Sequence, residues 1–169
     1  DHEIQTRTPF LVTFSSQWII TDYADMLSLL RYFDRQDLVR KLRTALPEQR
    51  APAWREFWTE TDSVPLTPEN EALDEYLRQV QIANFRFLEA GEPGWLTDRG
   101  MVFITLGAPD LVQDFSGGTM SRGGTQTVRW TYNRLRLVLL FQDLYGFGRL
   151  KLTPNSRAEY QQALARVHR

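Results

Sequence analysis

The sequence contains no cysteine. Disulfides, thiolate nucleophiles and sulfur-ligated zinc sites are thereby excluded, and only oxygen-ligated metals stay open. Histidine is scarce: the two present, His2 and His168, stand beside the ends of the sequence, where a catalytic base is hard to hold in place. Acidic residues do not recur at the spacing of a calcium loop, so no metal and no cofactor is expected. No apolar run approaches the roughly 20 residues that cross a bilayer, and membrane insertion of these residues is not expected. Charge of one sign is also missing, because 20 Lys and Arg face 21 Asp and Glu for a net charge of -1. Such a balance supplies no field to draw in nucleic acid, which is not expected as a partner.

What is present suffices for one core. In 169 residues, 42% are hydrophobic and 12% aromatic, which suits a single domain. Thr6-Arg7-Thr8-Pro9-Phe10-Leu11-Val12-Thr13-Phe14 has the β-branched and aromatic content of a strand. Residues 1–15 therefore read as the tail of an upstream domain, and the stretch from Phe10 to Phe14 is expected to pair with the sheet or with a neighbouring molecule. Residues 16–169 read as the domain proper: a helical part over 16–92, an antiparallel sheet over 93–153 and a C-terminal helix over 154–169.

Thr21 is placed to cap a helix over about 22–33, with Tyr23, Met26, Leu27, Leu30 and Phe33 at helical spacing. Asp34 and Asp37 resemble a capping pair for a second helix that ends near Leu46, carried by Leu38, Val39, Leu42 and Ala45. Pro47 and Pro52 suit the first turn of a third helix, where Trp54, Phe57 and Trp58 share a side and which stops before Asp62. Thr67-Pro68-Glu69-Asn70 combines a cap with proline at the first helical position and an acidic first turn. The fourth helix then carries Leu73, Tyr76, Leu77, Val80, Ala83 and Phe87 until Gly91 and Pro93. From Met101 the period reads as two, Val102, Ile104 and Leu106 facing one way, which predicts a first strand before the turn at Gly107-Ala108-Pro109-Asp110. Further strands are predicted over 111–115, 125–132, 135–142 and 149–153, with a tight hairpin at Asn133-Arg134, a turn over 143–148 and a helix over 156–167. Helices before strands indicate an α+β fold: about four helices, an antiparallel β-meander and a C-terminal helix.

Pro93-Gly94-Trp95-Leu96-Thr97-Asp98-Arg99-Gly100, followed by Val102-Phe103-Ile104, Gly107 and Pro109-Asp110, resembles the bacterial GWxTD domain family. The resemblance extends upstream through Phe57-Trp58, Asp62, Thr67-Pro68-Glu69-Asn70-Glu71 and Tyr76, and downstream through Trp130, Tyr132 and Gly146-Phe147-Gly148, covering about residues 20–153. Ala108, where a second proline or a polar residue is expected, and the glycine-rich loop Ser116 to Thr125 depart from the pattern. The resemblance implies a domain of exported bacterial proteins, often following a β-rich domain, with no established activity. It implies a periplasmic, outer-membrane-associated or extracellular location.

Within the motif, two readings compete. Trp95 can plug the junction after the fourth helix while Asp98 caps backbone N–H groups, making Gly94, Trp95, Thr97, Asp98, Gly107, Pro109 and Trp130 structural. Alternatively Trp95, Asp98, Arg99 and Asp110 form a ligand site, with the Arg99 guanidinium clamping a carboxylate or phosphate. Burial of Trp95 decides between them. Ser116 to Thr125 lacks the Gly-Lys-Ser/Thr ending of a phosphate loop and reads as a hairpin loop. Asp62, Glu69, Glu71 and Asp98 are the carboxylates available to a hydrolase acting on an envelope polymer. Arg129, Arg134 and Arg136 read as a solvated strand edge. The expected function is a non-catalytic binding or scaffolding module whose partners are a protein, an envelope polymer or a neighbouring domain.

Overall fold

A computed structural model describes residues 12–15, 18–20, 22–64, 66–67, 69–115 and 126–167. Near its start, β1 (Val12–Ser15) pairs antiparallel with β2 (Trp18–Ile20), in the register Val12↔Ile20 and Thr13↔Ile19. The anticipated strand therefore finds a partner in its own hairpin rather than in the main sheet. Phe10 and the residues before it lie outside the described residues.

The helical part follows the predicted order with different caps. α1 (Tyr23–Leu29) continues as a 3-10 turn over Leu30–Tyr32, and its cap is Asp22, whose carboxylate accepts the Asp25 N–H at 2.8 Å. Thr21, the expected cap, lies outside the described residues. α2 (Gln36–Thr44) has Arg35 at its cap position and no side-chain cap; Asp37 pairs with Arg35 at 2.9 Å instead of capping with Asp34. The helix stops at Thr44, and Leu46 is exposed. α3 (Arg50–Thr61) buries Phe57, on which Trp54 stacks at 5.2 Å, while Trp58 packs partly against the core.

α4 (Glu71–Arg86) begins later than Thr67-Pro68 suggests, because Asn70 caps it. The fully buried Asn70 amide accepts the Leu73 N–H at 2.9 Å and donates to the Trp58 carbonyl and the Thr61 hydroxyl at 3.0 and 2.8 Å. One side chain thus caps α4 and fastens it to the end of α3, satisfying buried polar groups on both.

The strand predicted from Met101 is a helix, α5 (Asp98–Leu106). Thr97 caps it, Asp98 stands in the first turn and Gly107 at φ 79° ends it. Val102, Phe103 and Ile104 are all buried, so the stretch lacks the exposed alternate position a half-buried strand would show. A short apolar run does not distinguish strand from buried helix by period alone.

The meander follows as expected. β3 (Leu111–Asp114), β4 (Gln126–Tyr132), β5 (Leu137–Asp143) and β6 (Lys151–Leu152) form one antiparallel sheet in that order. Pairing of β4 with β5 closes at Tyr132↔Leu137, so the connection is the four residues 133–136 rather than Asn133-Arg134 alone. α6 (Pro154–Val167) then packs on β5 and touches α5, the Tyr160 hydroxyl meeting that of Thr105 at 2.9 Å. Phe87, Phe103, Trp130 and Phe141 form the core between α4, α5 and the sheet, with successive Phe87–Trp130 and Trp130–Phe141 centroids 5.4 and 4.9 Å apart. Phe33, Phe57 and Tyr76 continue it among the first helices.

Candidate functional site

The motif lies where α4, α5 and β6 meet. Gly94 is pressed on the last turns of α4, since a Cβ there would sit 2.3 Å from the Ala83 carbonyl oxygen. Gly100 is tighter: its Cβ would lie 1.9 Å from the Gly94 oxygen, so the first turn of α5 packs backbone to backbone on the Gly94–Leu96 turn. Thr97, fully buried, donates its hydroxyl to the Gly94 carbonyl at 2.8 Å and accepts the Gly100 N–H at 3.0 Å. Trp95 is only 8% exposed and belongs to the core, with the Arg31 guanidinium 5.9 Å from its ring centre.

The charged motif residues reach across the joint. Asp98 accepts the Leu152 N–H at 2.7 Å and pairs with Arg157, so it holds β6 and α6 rather than only its own turn. Arg99 pairs with an internal carboxylate, that of Glu89, through Nε at 3.0 Å and Nη2 at 2.9 Å. Its guanidinium also lies 5.5 Å from the centre of the Phe87 ring. The Glu89 side chain is wholly buried and its second oxygen accepts the Leu150 N–H at 3.1 Å. Burial pushes the Glu89 carboxyl above its ordinary value, and Arg99 opposes that rise. Lys151 pairs with Glu92 at 3.0 Å and Arg149 donates to the Ala90 carbonyl at 3.1 Å. Residues 149–152 are therefore laced to residues 89–98, joining the sheet edge to the helices.

Trp95, Asp98 and Arg99 are thus brought together, whereas Asp110 serves a different joint, where its carboxylate accepts the Asn133 N–H at 2.7 Å in the β4–β5 turn. The Gly107 carbonyl accepts the Tyr132 hydroxyl at 3.1 Å, Pro109 is half-buried beside it, and Trp130 is at the centre of the core. Of the other carboxylates, Asp62 stands apart and accepts the Val64 N–H at 2.9 Å, whereas exposed Glu69 and Glu71, which accepts the Thr67 hydroxyl at 2.6 Å, line one shallow depression with Asp74, Glu75 and Arg78. Among the described residues no group of three or more His, Asp or Glu could hold a metal, and no helix is long and apolar enough to cross a membrane. Ser116 to Thr125, His2 and His168 lie outside the described residues.

Sequence reasoning missed two residues that matter here. Glu89 carried no local signal, because its partners Arg99 and Leu150 are set by the fold. Asp143 did carry one, an acidic residue ahead of Gly146 and Gly148. Its buried carboxylate accepts the Tyr145 and Phe147 N–H groups at 3.2 Å and that of Gly148 at 2.6 Å. Burial alone would raise its pKa, yet bonds from Gly148, Tyr145, Phe147 and Gly146 together hold it below the ordinary value. Gly146 and Gly148 take φ of 71° and 72°, conformations that glycine adopts without cost. The loop so tied presents Leu144, Tyr145 and Phe147 at 67%, 79% and 70% exposure, the two rings stacked with centroids 6.3 Å apart.

At the other end of α4 lies a cleft of about 530 Å³. Tyr32, Phe33 and Ile104 give it apolar walls, and Asp34, Glu60 and Glu75 give it carboxylates. Gln79 also lines it, and the Gln79 Oε1 atom is buried with no hydrogen-bond partner among the described residues.

No curated protein and no solved structure matches the chain. A family model described as the GWxTD domain matches residues 1–140, and the chain belongs to that family.

Proposed function

We propose that this GWxTD domain is a non-catalytic binding or scaffolding module of an exported bacterial protein, acting in the periplasm, at the outer membrane or outside the cell. The observation that carries this reading is the Asp143–Gly148 loop. A buried carboxylate and two left-handed glycines fix three large apolar side chains in water, an arrangement that costs solvation and is repaid when a partner covers it. The polar groups of the Trp95–Gly100 segment, by contrast, are engaged in internal ties, which supports a structural role for them.

Cosedimentation with an insoluble bacterial envelope fraction tests the proposal. Replacing Tyr145 and Phe147 together by Ser should lower the bound fraction at least about tenfold, the loss expected when a stacked aromatic anchor contributing about 1.4 kcal/mol or more is removed. The midpoint of urea unfolding should stay unchanged. Equal binding by the double variant, or release of soluble fragments from the envelope polymer by the wild-type chain, would overturn the reading.

A further inference from the structure

The exposed loop and the carboxylate-lined cleft are complementary, and they lie at opposite ends of α4. The loop is tied beyond the C-terminal end of that helix, through Arg149 to Ala90 and through Leu150 to Glu89. Ala72, Glu75, Tyr76 and Gln79 place the cleft along the first half. At 1.5 Å per residue the helix is about 24 Å long, so the loop of one molecule does not reach the cleft of the same molecule.

We propose that the loop of one molecule seats in the cleft of a second copy of this chain, which deepens the scaffolding reading and rests on it. Tyr145 and Phe147 are the apolar occupant, and Tyr32, Phe33 and Ile104 are the apolar walls. Arg149, exposed beside the loop with its guanidinium on the Ala90 carbonyl, supplies the positive charge. The cleft answers with Asp34 and Glu60; its third carboxylate, Glu75, is already paired with Arg78 at 2.5 Å, and its guanidinium, that of Arg35, is engaged by Asp37 and the Glu60 carbonyl. On the loop side the exposed Lys151 is neutralised by the half-buried Glu92. Because loop and cleft are different surfaces, the contact is heterologous, and copies add head to tail until a ring closes or an open chain results.

Sedimentation velocity of the 169-residue chain over a hundredfold concentration range tests this. Wild type should sediment faster as concentration rises, and raised salt should weaken the association. Phe147→Asp removes the loop's anchor and Glu60→Lys reverses a cleft charge; each alone should weaken self-association at least tenfold. Mixed together, they should form one-to-one dimers and nothing larger, since the first keeps an intact cleft and the second an intact loop. Phe147→Ser replaces Phe147→Asp should the latter change the urea midpoint. A wild-type chain that stays monomeric throughout, or a mixture that does not pair, overturns the proposal. If the monomeric chain still cosediments with the envelope fraction through Tyr145 and Phe147, the binding reading stands and only the self-docking falls.

Discussion

Replacing Glu89 by Ala should cost about 3 kcal/mol of unfolding free energy, a large share of the roughly 5–15 kcal/mol that holds a domain of this kind. The side chain is wholly buried, and its loss strands two donors at once: the Arg99 guanidinium and the Leu150 N–H. Breaking a buried pair from one side is costly because the remaining charge keeps its desolvation penalty. Arg99 is 21% exposed and recovers some water, which places the expected loss at the lower end of the range for such pairs. The double variant Glu89→Ala with Arg99→Leu should be more stable than Glu89→Ala alone, since no charge is left behind. Urea denaturation of the three proteins measures this, and a double variant weaker than the single would contradict it. Burial raises the folded carboxyl above 4.5, so the native state holds that proton to higher pH than the unfolded chain. This group's own contribution therefore falls as pH climbs from 4.5 through the raised folded value.

Trp95→Ala should cost about 3–5 kcal/mol, through lost burial and the cavity left at the junction. Trp95 sits between the end of α4 and the start of α5, and the surrounding backbone has no freedom to collapse inward. Gly94 is already against the Ala83 and Asn84 carbonyls, and Gly100 is against Gly94. Thermal unfolding of the variant should begin well below that of wild type, and a melting temperature within a degree of wild type would show that Trp95 contributes little to the core.

Much of this joint was legible in the sequence as a type of element and little of it as a set of partners. The long periodic face of α4, the order of the meander and the structural reading of Gly94-Trp95 rest on local patterns, which chain chemistry alone decides. Thr67 and Asn70 are both capping residues, so the sequence offers two starts for α4; Asn70 prevails because its amide also reaches Trp58 and Thr61, twelve and nine residues earlier. The apolar residues of α5 form a run too short for the period to separate strand from helix, although Thr97 and Asp98 are a helix-start signal. The β4–β5 turn spans four residues rather than two, and its last, Arg136, takes φ 50°, a left-handed conformation that non-glycine residues adopt rarely and that the sequence does not signal. Asp98 to Leu152 and Glu89 to Leu150 span 54 and 61 residues, and no local pattern encodes such pairs.

Two carboxylates from the helical half, Glu89 and Asp98, hold the sheet edge by accepting the N–H groups of Leu150 and Leu152. Native-state hydrogen exchange at these two amides is the most direct measurement. Both should exchange only through global unfolding, with the same free energy as the slowest amides of β4 and β5. Exchange at either amide near the rate of an unstructured peptide, in a chain whose β4 and β5 amides stay protected, would contradict the account.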